Sequence, residues 1–76
     1  MNKDLEYFNK IEEMFNDIEF YDEEIDILFH YMSCHINNSV YECTFLDEYE
    51  YICGGDRSHN SIINRINELY KNYKSL

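Results

Sequence analysis

The sequence lacks the features that would place it in a membrane or a secretory pathway. No apolar run approaches the roughly 18 residues that a membrane span needs, and no secretory hydrophobic region follows the start MNKDLEYF. The three cysteines are an odd number, so they cannot all pair within one chain. These absences predict a cytoplasmic protein with reduced thiols.

Lysine and arginine are missing from residues 11–56, which hold thirteen acidic residues. Residues 57–76 have the opposite balance, with four bases and one acid, and the whole chain carries a net charge of −10. A field this uneven repels nucleic acid and anionic membranes, and it attracts basic protein surfaces. We expect the C-terminal bases to pair with acids across the fold and to soften their repulsion.

Apolar residues recur at three- and four-residue steps in the segments 3–18, 22–36 and 58–74, a spacing typical of amphipathic helices. A chain of 76 residues, 45% of them hydrophobic, is enough for one small core. We therefore predict a single all-α domain over residues 1–76. It is a compact bundle of about four short helices, three of them over the segments above and one more at 40–53.

The helix at 22–36 has a predicted N-cap at Asp22 and a predicted end at Asn37-Asn38. Its sequence is apolar almost all round, so it lies either at the centre of the fold or in an interface. The interface alternative is a small helical assembly or adapter protein, a homodimer through the back of this helix. That back consists of Ile27, Tyr31 and Cys34.

The segment 40–53 fits two structures. As a helix it has a capping box, with Ser39 followed three residues later by Glu42, and a C-cap at Gly54. Its apolar stripe is then Tyr41, Phe45, Tyr49 and Ile52. As a β-hairpin it has β-favouring residues in alternation, which gives an α+β fold. The hairpin turn lacks the Gly or Asn that short hairpin loops prefer, and this favours the helix.

No catalytic or metal-binding motif is present. The segment CGGDRS lacks the Lys-Ser/Thr pair of a phosphate-binding loop. Zinc ligands could come from His30, Cys34, Cys43 and His59, but the chain has no C-x2-C pair. A thiol nucleophile would need an orienting group and an oxyanion donor, and neither can be named. We predict that the protein is not an enzyme and has neither a cofactor nor a metal.

The segment NDIEFYDEEID, residues 16–26, lies within the densest acidic run. Eight acids stand between positions 12 and 26. If that stretch is largely helical, they span ~22 Å, or about one charge per 3 Å. One strand of duplex DNA carries a charge every ~3.4 Å along its axis. A partner whose bases are spaced for phosphates could therefore meet this surface.

Tyrosines stand among these carboxylates, and interface hot spots favour tyrosine because it combines apolar area with a hydroxyl. We predict a partner-binding face that combines the acids with two tyrosines. Its residues are Glu12, Glu13, Asp17, Glu19, Tyr21, Asp22, Glu23, Glu24, Asp26, Asp47, Glu48, Glu50 and Tyr51.

In size, net charge and lack of catalytic motifs, the chain resembles small phage proteins that disarm host defences, such as anti-CRISPR proteins and other DNA mimics. The resemblance covers composition and the acidic run at 12–26. The absence of Ala, Gln, Pro and Trp, with abundant Asn, Ile and Tyr, is typical of an AT-rich bacterial or phage genome. The resemblance implies a non-enzymatic inhibitor in the host cytoplasm. Its partner would be a basic nucleic-acid-binding protein or complex of the host, with no direct contact to nucleic acid or membrane.

Overall fold

Residues 3–76 are described by a computed structural model in which four helices follow one another. They are α1 (Lys3–Phe15), α2 (Glu23–Ile36), α3 (Glu42–Glu48) and α4 (His59–Lys74), and a π-helical turn at Tyr49–Cys53 extends α3. No strand occurs within residues 3–76. The prediction of an all-α bundle is confirmed, and the hairpin alternative at 40–53 is wrong.

Helix α2 lies at the centre of the bundle. Five of its side chains are buried, and Tyr31 has only 1% of its surface exposed. The five are Ile25, Ile27, Leu28, Tyr31 and Met32. These side chains join apolar residues of α1, α4 and the π-helical turn in one core. The all-round apolar pattern of α2 therefore reflects a central position within one chain.

The three other helices run antiparallel to α2, as pairs of contacts along it show. In α1, Asp4 lies near His35 at the end of α2, while Phe15 stacks on Phe29 with ring centroids 4.1 Å apart. In α4, His59 contacts Tyr31 and the later residue Arg65 contacts Glu24. Glu42 in α3 contacts His35, and Tyr49 in the π-helical turn contacts Glu24. This packing places the start of α1, the end of α2 and the start of α4 at one end of the bundle.

Most predicted helix ends are confirmed. The Asp22 carboxylate accepts the amide of Ile25 at 2.9 Å, and Asn38 and Gly54 have positive φ angles of 52° and 65° after α2 and after the π-helical turn. Helix α1, however, ends at Phe15, three residues before its predicted end.

Two local interactions account for the ends that were predicted wrongly. The Asp17 carboxylate accepts the amide of Glu19 at 3.1 Å, a local turn that competes with helix continuation and leaves Ile18 90% exposed. The capping box at 39–42 does not form. The Ser39 hydroxyl accepts the amide of Tyr41 at 3.2 Å, and the Glu42 carboxylate pairs with His35 instead.

The π-helical turn changes which side chains of segment 40–53 enter the core. Of the four residues in the predicted stripe, Tyr49 is buried and Phe45 is half-buried, while Tyr41 and Ile52 are exposed. The helix begins at Glu42, after Tyr41, and the wider turn after Glu48 shifts Ile52 away from the face that an α-helix would give it. The Tyr49 ring packs against Gly55.

We expect Gly55→Ala to destabilise the protein more than Gly54→Ala. A Cβ at position 55 would lie 2.1 Å from the Tyr49 ring, whereas a Cβ at position 54 meets nothing within 4 Å. Overpacking of this kind costs about 1–3 kcal/mol. The strain of a positive φ at Gly54 costs about 1 kcal/mol. Urea unfolding of the two variants measures the difference, and an equal or reversed order would contradict the packing of Tyr49 on Gly55.

Candidate partner-binding surface

The predicted acidic residues do not form one helical row. The chain reverses between Phe15 and Glu23, so the acids of α1 and the acids of α2 lie on antiparallel helices. The comparison of a 22 Å row with a DNA strand is therefore wrong for this fold. What separates the acids in three dimensions is whether a base or a tyrosine of the same chain contacts them.

Glu24 is the most strongly engaged of the predicted acids. Arg65 on α4 donates to both of its oxygens at 2.8 and 2.9 Å, and the Tyr49 hydroxyl donates at 2.9 Å. The side chain of Glu24 is only 18% exposed. Hydrogen bonding from Arg65 lowers the pKa of Glu24, and burial opposes this effect. Glu24 is thus a structural residue that links three elements, and it is not part of an open face.

Glu13 and Asp17 are satisfied by the last turns of α4. Lys74 donates to Glu13 at 2.6 Å and the Tyr70 hydroxyl donates to it at 2.9 Å, and these bonds lower the pKa of Glu13. The Tyr73 hydroxyl donates to Asp17 at 2.9 Å. The predicted pairing of α4 with the acidic helices is confirmed in these contacts.

Arg57 neutralises part of the acidic charge on the third helical segment. Its guanidinium lies 2.5 Å from the Asp47 carboxylate and 3.8 Å from that of Glu50. All three side chains are well exposed, so the pairs contribute little to stability. Tyr51 beside them is 90% exposed.

Five of the predicted residues remain together without a Lys or Arg partner within residues 3–76. They occupy the turn before α2 and its first turn, and we name them the α2 acidic face: Glu19, Tyr21, Asp22, Glu23 and Asp26. Within residues 3–76, the exposed carboxylates of Glu19 and Glu23 form no hydrogen bond or ion pair with another side chain. Asp26 lies 3.3 Å from the imidazole of His30, and Asp22 caps the helix.

Tyr21 lies inside this group of carboxylates. Partial burial raises its pKa, and the next largest contributions come from Asp26, Glu23 and Asp22. Its ring meets the edge of Phe15 at a centroid distance of 5.7 Å, yet 48% of the residue is exposed. The phenol therefore stays protonated, and its ring is half-exposed among the carboxylates.

The C-terminal end of the π-helical turn adjoins the same face. Burial raises the pKa of the Cys53 thiol, and the carboxylates of Glu24, Glu23 and Asp22 raise it further. A raised pKa keeps the thiol protonated and weakly nucleophilic.

Two predicted acids remain, Glu12 on α1 and Glu48 at the end of α3. They form no hydrogen bond or ion pair within residues 3–76.

Sequence reasoning missed a second polar cluster, at the opposite end of the bundle. Among residues 3–76, one group of three metal-ligating side chains has its ligand atoms within 4.8 Å of one another: Asp4, His35 and His59. Of the predicted zinc alternatives only His59 belongs to it. The sequence separations of 31 and 24 residues give no motif. Only the antiparallel packing of α1, α2 and α4 brings these residues together.

The chain matches no protein-family model, and comparisons with curated proteins and with solved structures gave no match. Within residues 3–76, no helix has the length and apolar character that crossing a bilayer requires. The surface chemistry of the fold is therefore the basis for inferring a function.

We expect Glu24→Gln to lower the free energy of unfolding at neutral pH by about 1–3 kcal/mol, because Arg65 and Tyr49 lose a charged acceptor. The folded pKa of Glu24 lies below its ordinary value of 4.5, so its contribution is complete above that pH. The contribution is lost as the pH falls through the lowered folded pKa. Urea unfolding of both proteins across this range should show their difference shrinking in acid. A difference independent of pH would contradict this role of Glu24.

The melting temperature of the wild-type protein should rise from low to moderate NaCl, because the α2 acidic face has no Lys or Arg partner within residues 3–76 and salt screens its repulsion. The variant Glu19→Gln/Glu23→Gln should show a smaller rise. Circular dichroism melts at several salt concentrations test this. A flat wild-type curve would mean that the bases of α4 already balance the acids.

Proposed function

We propose that this protein is a non-enzymatic inhibitor that docks its α2 acidic face on the basic nucleic-acid site of a bacterial defence enzyme or effector, as anti-CRISPR proteins of the DNA-mimic kind do. One observation carries the proposal. Arg57, Arg65 and Lys74 are engaged by other acids of the chain, and none of them contacts the carboxylates of the α2 acidic face.

An ordinary solvated surface mixes charges of both signs, because opposite pairs stabilise slightly and like pairs cost about as much. Asp22, Glu23 and Asp26 crowd like charges into about 6 Å of helix rise. The helix dipole and N-terminal capping account for some of these carboxylates at the start of α2. They do not account for Glu19, which lies before the helix and adds to the same field.

The mimicry proposed here is of charge density and not of strand geometry. The α2 acidic face is compact, so it fits a pocket that binds one or two phosphates more closely than it fits a long groove. Tyr21 adds a flat, half-exposed ring beside the carboxylates. Arg side chains that bind phosphates also stack on aromatic rings. One Arg of a partner could therefore stack on the Tyr21 ring and pair with a neighbouring carboxylate.

The net charge of −10 gives the interaction its range. Charge of this size steers a basic partner toward the protein and raises the association rate at low salt. The same field excludes direct binding to nucleic acid, which is also anionic. Inhibition would then be competitive with nucleic acid and strongly dependent on salt.

The alternative of a homodimer through the back of α2 loses its predicted surface in this fold. Ile27 and Tyr31 are buried in the core, and Cys34 is half-buried. A dimer through these side chains would require α2 to leave the centre of the bundle. Within residues 3–76 no other surface favours the adapter function, so we do not adopt it.

Two matched variants test the proposal. Glu19→Gln/Glu23→Gln removes two exposed charges from the α2 acidic face and spares the Asp22 cap. The control Glu6→Gln/Glu48→Gln removes two charges that lie outside this face and that form no hydrogen bond or ion pair within residues 3–76. Each protein is immobilised at equal density, exposed to a bacterial lysate at low salt, and then washed with an excess of duplex DNA.

We expect one or more nucleic-acid-binding proteins to be retained by the wild type and the control, to be released by duplex DNA, and to be largely lost from the Glu19→Gln/Glu23→Gln variant. With such a protein purified, its association rate with the variant should fall about tenfold or more at low salt, because steering scales with charge. Equal binding by all three proteins across a salt series would refute the α2 acidic face as the binding surface. Captured proteins that duplex DNA fails to release would refute the mimicry.

A further inference from the structure

The polar cluster opposite the α2 acidic face joins residues from three helices. Asp4 belongs to the first turn of α1, His35 to the last turn of α2, and His59 is the first residue of α4. All three side chains are 27–36% exposed, so they are held by the fold while one side remains open to solvent.

Both imidazoles turn the same ring nitrogen toward Asp4. The distance from His35 Nε2 to Asp4 Oδ2 is 3.2 Å, and that from His59 Nε2 to Asp4 Oδ1 is 3.4 Å. The two rings stack with centroids 4.2 Å apart. With zinc bonds of about 2.0–2.1 Å, neighbouring ligand atoms of a tetrahedral site are about 3.3–3.4 Å apart. The two distances between imidazole and carboxylate are thus close to those of a metal site, and the three ligand atoms all lie within 4.8 Å of one another.

The Nδ1 atoms of both imidazoles also have hydrogen-bonding partners. His35 Nδ1 lies 2.6 Å from the Glu42 carboxylate, and His59 Nδ1 lies 2.7 Å from the Tyr31 hydroxyl. A carboxylate can only accept, so Nδ1 of a metal-bound His35 would carry the hydrogen and donate it to Glu42, which leaves the lone pair of Nε2 for the metal. Histidines that ligate metals are commonly oriented by this kind of bond from the second nitrogen.

We propose that Asp4, His35 and His59 form a binding site for one divalent transition-metal ion, with zinc as the reference metal, and that Glu42 and Tyr31 orient the two imidazoles. Two imidazoles and one carboxylate suit zinc and its neighbours, whereas calcium and magnesium prefer oxygen ligands. The carboxylates of Asp4 and Glu42 balance the charge of a divalent ion. The open side leaves a fourth position for water or for a ligand from another molecule.

Such an ion would act first as a clamp. It would tie the start of α1 to the end of α2 and the start of α4, and Glu42 would extend the linkage to α3. All four helices therefore meet around the proposed site. The site is independent of the proposed inhibitor function because it lies at the other end of the bundle, and each can fail without the other.

The test uses a thiol-free background, Cys34→Ser/Cys43→Ser/Cys53→Ser, because surface thiols bind zinc unspecifically. The metal-free protein is titrated with Zn²⁺ against a chromophoric chelator, and with Co²⁺ while visible absorption is recorded. We expect one ion per chain, a visible ligand-field spectrum with cobalt, and a melting temperature that rises with zinc. Ca²⁺ and Mg²⁺ should not compete.

The variants His35→Ala, His59→Ala and Asp4→Asn should each lower zinc affinity at least about 100-fold, since even a lost orienting partner commonly costs 10–100-fold. Glu42→Ala should fall in that 10–100-fold range. His30→Ala is the matched control, because His30 lies outside the cluster and bonds the backbone carbonyl of Asp26. It should bind zinc as the thiol-free parent does.

The Asp4→Asn variant separates the loss of a metal ligand from unfolding, because it keeps the shape of the side chain. Its far-UV circular dichroism spectrum can be compared with that of the parent. A folded Asp4→Asn protein that binds zinc with unchanged affinity would overturn the proposal. Absence of saturable zinc binding by the thiol-free parent would overturn it as well, and so would equal loss of binding in His30→Ala.

Discussion

The rest of the structure depends on the central position of α2, which contributes five buried side chains to the core. A helix that is apolar on all sides must be surrounded, and α1, α4 and the π-helical segment supply that cover with side chains such as Ile11, Ile62 and Tyr49. Because all three neighbours run antiparallel to α2, residues far apart in sequence meet at its two ends. The two candidate sites are consequences of this packing.

Charge is distributed by the same arrangement. Helix α4 packs along α1 and reaches α2 with its side chains, so its bases and tyrosines satisfy acids such as Glu13 and Glu24 inside the fold. Within residues 3–76, these bases do not contact the carboxylates of the α2 acidic face. Repulsion among carboxylates thus persists at one surface, whereas bases relieve it at others. Such a pattern is typical of a binding site that lowers the stability of its own fold.

The two ends of α2 consequently offer different chemistry. The N-terminal end presents the α2 acidic face, which suits basic partners approaching through a long-range field. The C-terminal end presents imidazoles held by Glu42 and Tyr31, which suit a metal ion at short range. Tyr31 shows how the core and the second site are connected. Its ring is buried, and mainly for that reason the pKa of its hydroxyl is raised, so the neutral phenol persists beside His59.

Sequence alone determined the helices, because apolar periodicity and caps such as Asp22 and Gly54 depend on residues that are close in sequence. It also determined the excess of acidic residues. It did not determine the π-helical turn, which depends on the packing of Tyr49 against Gly55 and its bond to Glu24. Nor could it separate Glu24 from Glu23, neighbours in sequence, of which one is held by Arg65 and the other is exposed. The meeting of Asp4 with His35 and His59 was decided only by tertiary structure, because helix packing, and not sequence spacing, sets distances between elements.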